Sequence, residues 1–293
     1  MDDPLLDVSA HALSYVSSHD GGRIRVLDSG GTGDIVLFAH GYLLDLTIWA
    51  LVYPPLIAAG YRVIAFDQRG HAGTTTGSEC NSSIAARDYR TILEHFDVRQ
   101  ATLVAHSMGG FLALRFCLDY PTVAQRLRRI VLLGANAGAV ARGSLQNQLQ
   151  IPLLRAGIMP YAWRVAPLGR ALMRPLFGEN ADPRHVEATR TMLARQDVSR
   201  SLPLLRAMCF EDYYARLSEI PIETSVWCGE LDRTCPPWHS RELGAKLPRA
   251  STHWLPRLGH MVMYEAPHVV VDAVRQPAPK RAAEQGSSTF RLP

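Results

Sequence analysis

Leu103-Val104-Ala105-His106-Ser107-Met108-Gly109-Gly110 is the stretch whose reading decides the fold. An apolar strand pattern, Ala101 to Ala105, stops at a serine, and a helical pattern, Phe111 to Leu118, starts just after it. A strand that turns straight into a helix strains the corner residue and pushes its side chain out. Large neighbours would collide in so tight a turn, so the pattern asks for Gly-x-Ser-x-Gly. Ala105 stands at the first glycine position and adds one methyl group, a change the turn is expected to tolerate. Gly109 keeps the second, and Gly110 lets the helix approach the strand. An exposed hydroxyl on a rigid corner suits a nucleophile, so Ser107 is the candidate.

A serine hydroxyl needs a base to take its proton, a carboxylate to orient that base, and donors for the developing oxyanion. His260, in Leu258-Gly259-His260-Met261, follows the apolar stretch Thr252 to Leu255 and is the expected base. The carboxylate is expected between serine and histidine, in the loop after the strand-like Ser225-Val226-Trp227-Cys228. Asp232 is the choice there and Glu230 the competitor; Asn136, after the strand Arg129 to Leu133, is not an acid. Two backbone N–H groups should hold the oxyanion: that of Met108, and that of Tyr42, after the strand Ile35 to Ala39 and His40-Gly41. His40, Gly41, Trp49, His106, Met159 and Trp163 are candidate pocket residues. For His40, His71 and His106, packing or support of the loops is the preferred role.

With these residues in view, the chain resembles a serine hydrolase of the α/β-hydrolase fold. The landmarks are His40-Gly41, Asp67-Gln68-Arg69-Gly70-His71, Ala105 to Gly110, Gly229-Glu230-Leu231-Asp232-Arg233 and Gly259-His260, in the family's order from about residue 13 to about 276. The resemblance implies an eight-stranded, mostly parallel sheet flanked by helices, with an inserted helical cap and no metal or organic cofactor. It implies cleavage of a carboxylic ester through an acyl-enzyme, on a small-molecule or lipid-like substrate, in an esterase- or lipase-like manner. Carbon–carbon bond hydrolysis, thioester hydrolysis and perhydrolysis use the same three side chains, so they stay open. A non-catalytic, ligand-binding member of the fold is the alternative of another class. Serine at 107 argues against the members that use aspartate, the epoxide hydrolases and haloalkane dehalogenases. Ala72-Gly73-Thr74 departs from the family's usual continuation after His71, so that loop is expected to be shaped differently.

Composition bounds the rest. The 293 residues carry 31 Lys and Arg against 27 Asp and Glu, a net charge of +4. The basic residues are dispersed arginines, with lysine only at Lys246 and Lys280, which argues against a nucleic-acid partner. No apolar run is long enough to span a bilayer and Met1-Asp2-Asp3-Pro4 does not begin like a signal peptide, so a cytoplasmic protein is expected. Cys80, Cys117, Cys209, Cys228 and Cys235 are scattered and odd in number, against both a disulfide framework and a zinc site. Asn81-Ser82-Ser83 matches a glycosylation acceptor but carries little weight alone.

Along the chain, Leu13 to Ser17 and Arg23 to Leu27 read as strands joined by Asp20-Gly21-Gly22, and Tyr61 to Phe66 as another strand. Tyr53 to Ala59 and Ile84 to Phe96 read as helices. Strand and helix alternate over 1–138 and 218–276, which argues for one parallel sheet covered on both faces. The segment 139–217 breaks that alternation with helical patterns punctuated by prolines, and is expected to form a cap over Ser107. It holds eleven arginines and six acids, compatible with a solvated face or with an anionic substrate group. The Pro-, Ala- and Ser-rich segment 277–293 is expected to be a mobile tail.

Overall fold

The computed structural model describes residues 12–276 except 78, 143 and 144, so the expected tail at 277–293 lies outside the described residues. Eight strands form one sheet: β1 (Ala12–Ser17), β2 (Arg23–Asp28), β3 (Ile35–Ala39), β4 (Arg62–Phe66), β5 (Ala101–His106), β6 (Leu127–Leu133), β7 (Glu223–Gly229) and β8 (Ala250–Leu255). Their order is β1-β2-β4-β3-β5-β6-β7-β8. β1 pairs antiparallel with β2, and β2 with β4; every other pairing is parallel. The central strands are apolar and buried on both faces, β5 along its whole length, as parallel strands between helical layers must be. Ala105 lies in that buried centre, in register with Ala39 and Leu132, so its methyl group is accommodated.

Twelve α-helices complete the described chain: α1 (Tyr53–Ala58), α2 (Ser82–His95), α3 (Met108–Asp119), α4 (Pro121–Ala124), α5 (Leu145–Arg155), α6 (Ile158–Arg164), α7 (Ala166–Met173), α8 (Pro183–Arg195), α9 (Val198–Phe210), α10 (Pro237–Lys246), α11 (Val262–Glu265) and α12 (Pro267–Arg275). Asn81 caps α2, its side chain accepting the Ile84 N–H at 2.9 Å. Helices α5 to α9 form one insertion between β6 and β7. Prolines only partly divide it. Pro183 opens α8 and Pro167 lies in the first turn of α7, whereas Pro152 and Pro203 lie inside α5 and α9. An internal proline removes one backbone hydrogen bond; here α5 and α9 pack against each other and hold both helices together.

The Asp67-to-His71 landmark is structural. The buried Arg69 guanidinium bonds Asp20 and Asp88, each at 2.8 Å, tying the β1–β2 hairpin to α2. Asp67 accepts the Leu46 N–H at 2.8 Å and the Arg25 guanidinium at 3.1 Å. The departure after His71 is absorbed locally: the Thr74 hydroxyl donates to Asp67 O at 2.6 Å and accepts the Arg25 N–H at 2.9 Å.

Candidate active site

Ser107 sits between β5 and α3 with φ 52° and ψ −118°, a conformation that L side chains rarely adopt. Its N–H is held by Leu133 O at 3.0 Å, and its own carbonyl accepts the Gly110 N–H at 2.9 Å. The corner is therefore pinned on both sides. The Met108 N–H, at the first position of α3, is one of the donors a helix start leaves unpaired.

His260 lies beyond β8, 28 residues after Asp232. Its Nδ1 donates to Asp232 Oδ2 at 2.7 Å, which leaves Nε2 the unprotonated nitrogen of the neutral ring. The other carboxylate oxygen of Asp232 accepts the N–H groups of Thr234 (2.9 Å) and Cys235 (2.8 Å), so the buried charge is met by three donors. Glu230 is exposed, and its N–H bonds Leu255 O instead. Between the two candidate acids, the structure brings Asp232 to the imidazole.

The His260 loop is held from several directions. The His260 N–H donates to Leu176 O of the helical insertion at 2.7 Å, and its carbonyl accepts His106 Nε2 at 3.0 Å. The Glu265 carboxylate accepts Gly259 N at 2.9 Å and Gly178 N at 2.6 Å. Gly134, at φ +48°, leaves the room the pair needs: a Cβ there would lie 2.9 Å from Asp232 Oδ2 and 3.0 Å from His260 Nδ1. Neither Glu265 nor Gly134 stands out in the sequence, because each acts through a contact far away in the chain. A Cβ at Gly41 would lie 2.8 Å from His106 Nδ1 and 3.1 Å from Ser107 Cβ, so the chain before Tyr42 passes tightly over the corner.

Ser107 and His260 open onto one cavity of about 470 Å³, walled by the sheet end and by the insertion. Tyr42, His106, Met159 and Trp163 lie on its wall. The wall is mostly apolar, led by Leu and Met; among the described residues it holds no carboxylate and one guanidinium, that of Arg233. Three expectations are corrected. Trp49 is fully buried against Phe38, with ring centroids 5.0 Å apart, and belongs to the core rather than the pocket. Gly41 is behind the wall. So is His40, whose Nε2 accepts the Gln68 N–H at 2.9 Å while Nδ1 donates to Gly41 O at 2.8 Å. His40 thus shapes the Tyr42 loop from below. Among the described residues, no group of three or more His, Cys, Asp or Glu side chains could hold a metal ion, and no helix is long and apolar enough to cross a membrane.

Burial keeps four imidazoles neutral: it pushes His40 down to about 4, His71 to about 3 and, against Tyr214, His239 to about 3, and holds His106 well below the ordinary value. In the unfolded chain these groups take up protons near pH 6.5, so below that pH the unfolded state binds more protons and stability falls. Burial of Asp67, pushed up to about 7, and of Glu265, also pushed up, opposes this with two carboxylates against four imidazoles. Stability is therefore expected to fall as pH drops below about 6.5, because the lowered imidazoles outnumber the raised carboxylates. Urea unfolding at a series of pH values measures it. His71→Gln should flatten the slope by one proton, and equal slopes would show that His71 titrates normally in the fold.

Comparison with known proteins agrees with this architecture. The chain is 30% identical over 283 residues to a 2-hydroxy-6-oxononadienedioate/2-hydroxy-6-oxononatrienedioate hydrolase of Paraburkholderia phymatum, covering 90% of this chain and 95% of that protein. It is 29% identical over 261 residues to a 2-hydroxy-6-oxo-6-phenylhexa-2,4-dienoate hydrolase of Burkholderia cepacia, covering 82% and 85%. An esterase from Exiguobacterium antarcticum superimposes with a TM-score of 0.77 at 18% identity, over 90% of this chain and 99% of that one. The family model described as the alpha/beta hydrolase family matches residues 36–273, the span that holds Ser107, Asp232 and His260, and the chain belongs to that family.

Proposed function

We propose that this protein hydrolyses a carbon–carbon bond next to a ketone, in an unsaturated 2-hydroxy-6-oxo carboxylic acid, with Ser107 as nucleophile, His260 as base and Asp232 as the carboxylate that orients it. The observation that carries the chemistry is the 2.7 Å Asp232–His260 bond beside a serine held in a strained corner on the same cavity. The choice of bond rests on the relatives, which carry that activity in their names over 82–90% of this chain. The sequence pointed first to esters; the relatives favour the carbon–carbon alternative.

In this reading His260 Nε2 takes the Ser107 proton as Oγ adds to the 6-oxo carbon. The Tyr42 and Met108 N–H groups hold the resulting oxyanion. Collapse breaks the bond between the former carbonyl carbon and its neighbour. This requires that the substrate has first ketonised, its 2-hydroxyl proton moving to the carbon next to the 6-oxo group; the released electron pair then spreads through the remaining double bond to the 2-oxo group, and the imidazolium returns its proton to that fragment. Water, deprotonated by His260, then releases the acyl group from Ser107 as a carboxylic acid. Asp232 keeps Nδ1 protonated and stabilises the imidazolium throughout. The insertion α5 to α9 acts as a cap over the serine, and Arg233, among the described residues the one cation on a wall without carboxylates, suits a substrate carboxylate.

Turnover of 2-hydroxy-6-oxo-6-phenylhexa-2,4-dienoate, followed by loss of its conjugated chromophore, tests the reading against p-nitrophenyl butyrate. A higher kcat/KM for the dienoate is expected. A higher value for the ester would return the assignment to ester hydrolysis, which the apolar wall also accommodates.

A further inference from the structure

We propose that the outer face of α5, α6 and α7 docks on an anionic lipid surface and presents the cavity mouth to it. The proposal goes beyond the reaction assigned above and does not depend on it. Of the twelve exposed large apolar side chains among the described residues, seven lie between Leu145 and Leu172. Tyr161 is 70% exposed, Leu145 69% and Ile158 54%. The exposed positions 158, 161, 165, 168 and 172 recur every three or four residues, while Ala162, Trp163, Gly169 and Met173 turn inwards. Both sides of these helices are therefore apolar, although only the inner one has a core to cover. Scattered apolar residues need no explanation, but a contiguous apolar run on adjoining helices marks an interaction site.

Charge selects the occupant. From Tyr120 to Gly178 the sequence holds no aspartate or glutamate, and the same helical stretch carries Arg155, Arg164, Arg170 and Arg174, all exposed. Arg170 pairs with Glu187 at 3.3 Å and Arg174 donates to backbone carbonyls. Arg155 and Arg164 have no ion-pair partner among the described residues. Exposed apolar side chains interleaved with unpaired arginines, on helices that carry no acid of their own, are what an interface of acyl chains and anionic headgroups complements. The face is also continuous with the cavity: Leu149 and Leu172 are both exposed and both on the cavity wall. An apolar molecule dissolved in the surface would reach the serine without crossing water.

Flotation of the full chain with vesicles of equal parts phosphatidylglycerol and phosphatidylcholine tests the proposal, with pure phosphatidylcholine vesicles alongside. The chain is expected to float with the mixed vesicles, less with the neutral ones, and to be released by salt. Arg155→Gln with Arg164→Gln should weaken partitioning by about thirty-fold. Ile158→Glu with Tyr161→Glu should weaken it about tenfold or more, while turnover of a water-soluble substrate stays at the wild-type level. Ser107→Ala should float like the wild type, which separates this result from failure of the proposed chemistry. Absence of flotation, or equal flotation of wild type and the Ile158/Tyr161 double variant, would overturn the proposal. So would a wild-type dimer in light scattering that the same double variant turns into monomer, since the face would then belong to a second copy.

Discussion

Ser107→Ala is expected to lower kcat by about 10⁵-fold or more while leaving KM and the fold near wild type. In the proposed reaction the hydroxyl forms the acyl-enzyme, so its loss leaves just binding and the oxyanion donors. The same position gives a second readout. At φ 52° and ψ −118° a residue with a Cβ is strained, by about 1–3 kcal/mol. Glycine relieves that strain but adds about 0.5–1 kcal/mol of chain entropy cost. Ser107→Gly should therefore be inactive yet more stable than Ser107→Ala by about 1 kcal/mol, or about 2–4 °C in Tm for a domain of this size. Steady-state kinetics and calorimetry of the two variants measure both effects. An alanine variant with full turnover would remove Ser107 from the chemistry.

Asp232→Asn is expected to cost about 10⁴-fold in kcat. The amide oxygen can still accept the Thr234 and Cys235 N–H groups, so the loop should hold its shape. Its NH₂ group faces His260 Nδ1, however, and a donor there favours the tautomer with the proton on Nε2. That nitrogen then cannot take the serine proton. Glu230→Gln, in an exposed side chain away from the imidazole, should leave the rate within about twofold, as surface substitutions commonly do. The reverse pattern, with Glu230 essential and Asp232 dispensable, would reassign the acid. Circular dichroism of both variants shows whether a loss reflects chemistry or folding.

Much of this architecture is legible in local pattern. Apolar runs such as Ile35 to Ala39 and Ala101 to Ala105 announce buried strands, and the abrupt change of period at Ser107 announces the corner. The chain order of serine, acid and histidine follows from the same reading, because each comes just after a strand whose carboxyl end faces the cleft. Helix ends in the insertion are less legible. Proline at 152 and 203 reads as a break, yet packing between α5 and α9 keeps both helices continuous.

By itself the sequence determined the strand–helix alternation, the corner at Ser107 and the loop that offers Asp232 and Glu230, since period and turn chemistry act over a few neighbouring residues. Only the tertiary structure decided that Asp232 rather than Glu230 meets His260, that Trp49 fills the core while Trp163 faces the cavity, and that Glu265 and Leu176 hold the His260 loop. Each of those depends on which way a side chain or carbonyl points once segments up to about a hundred residues apart are packed together. Direction of that kind is set by the closing of the core, where close-packed neighbours select one arrangement, and not by any short stretch of chain.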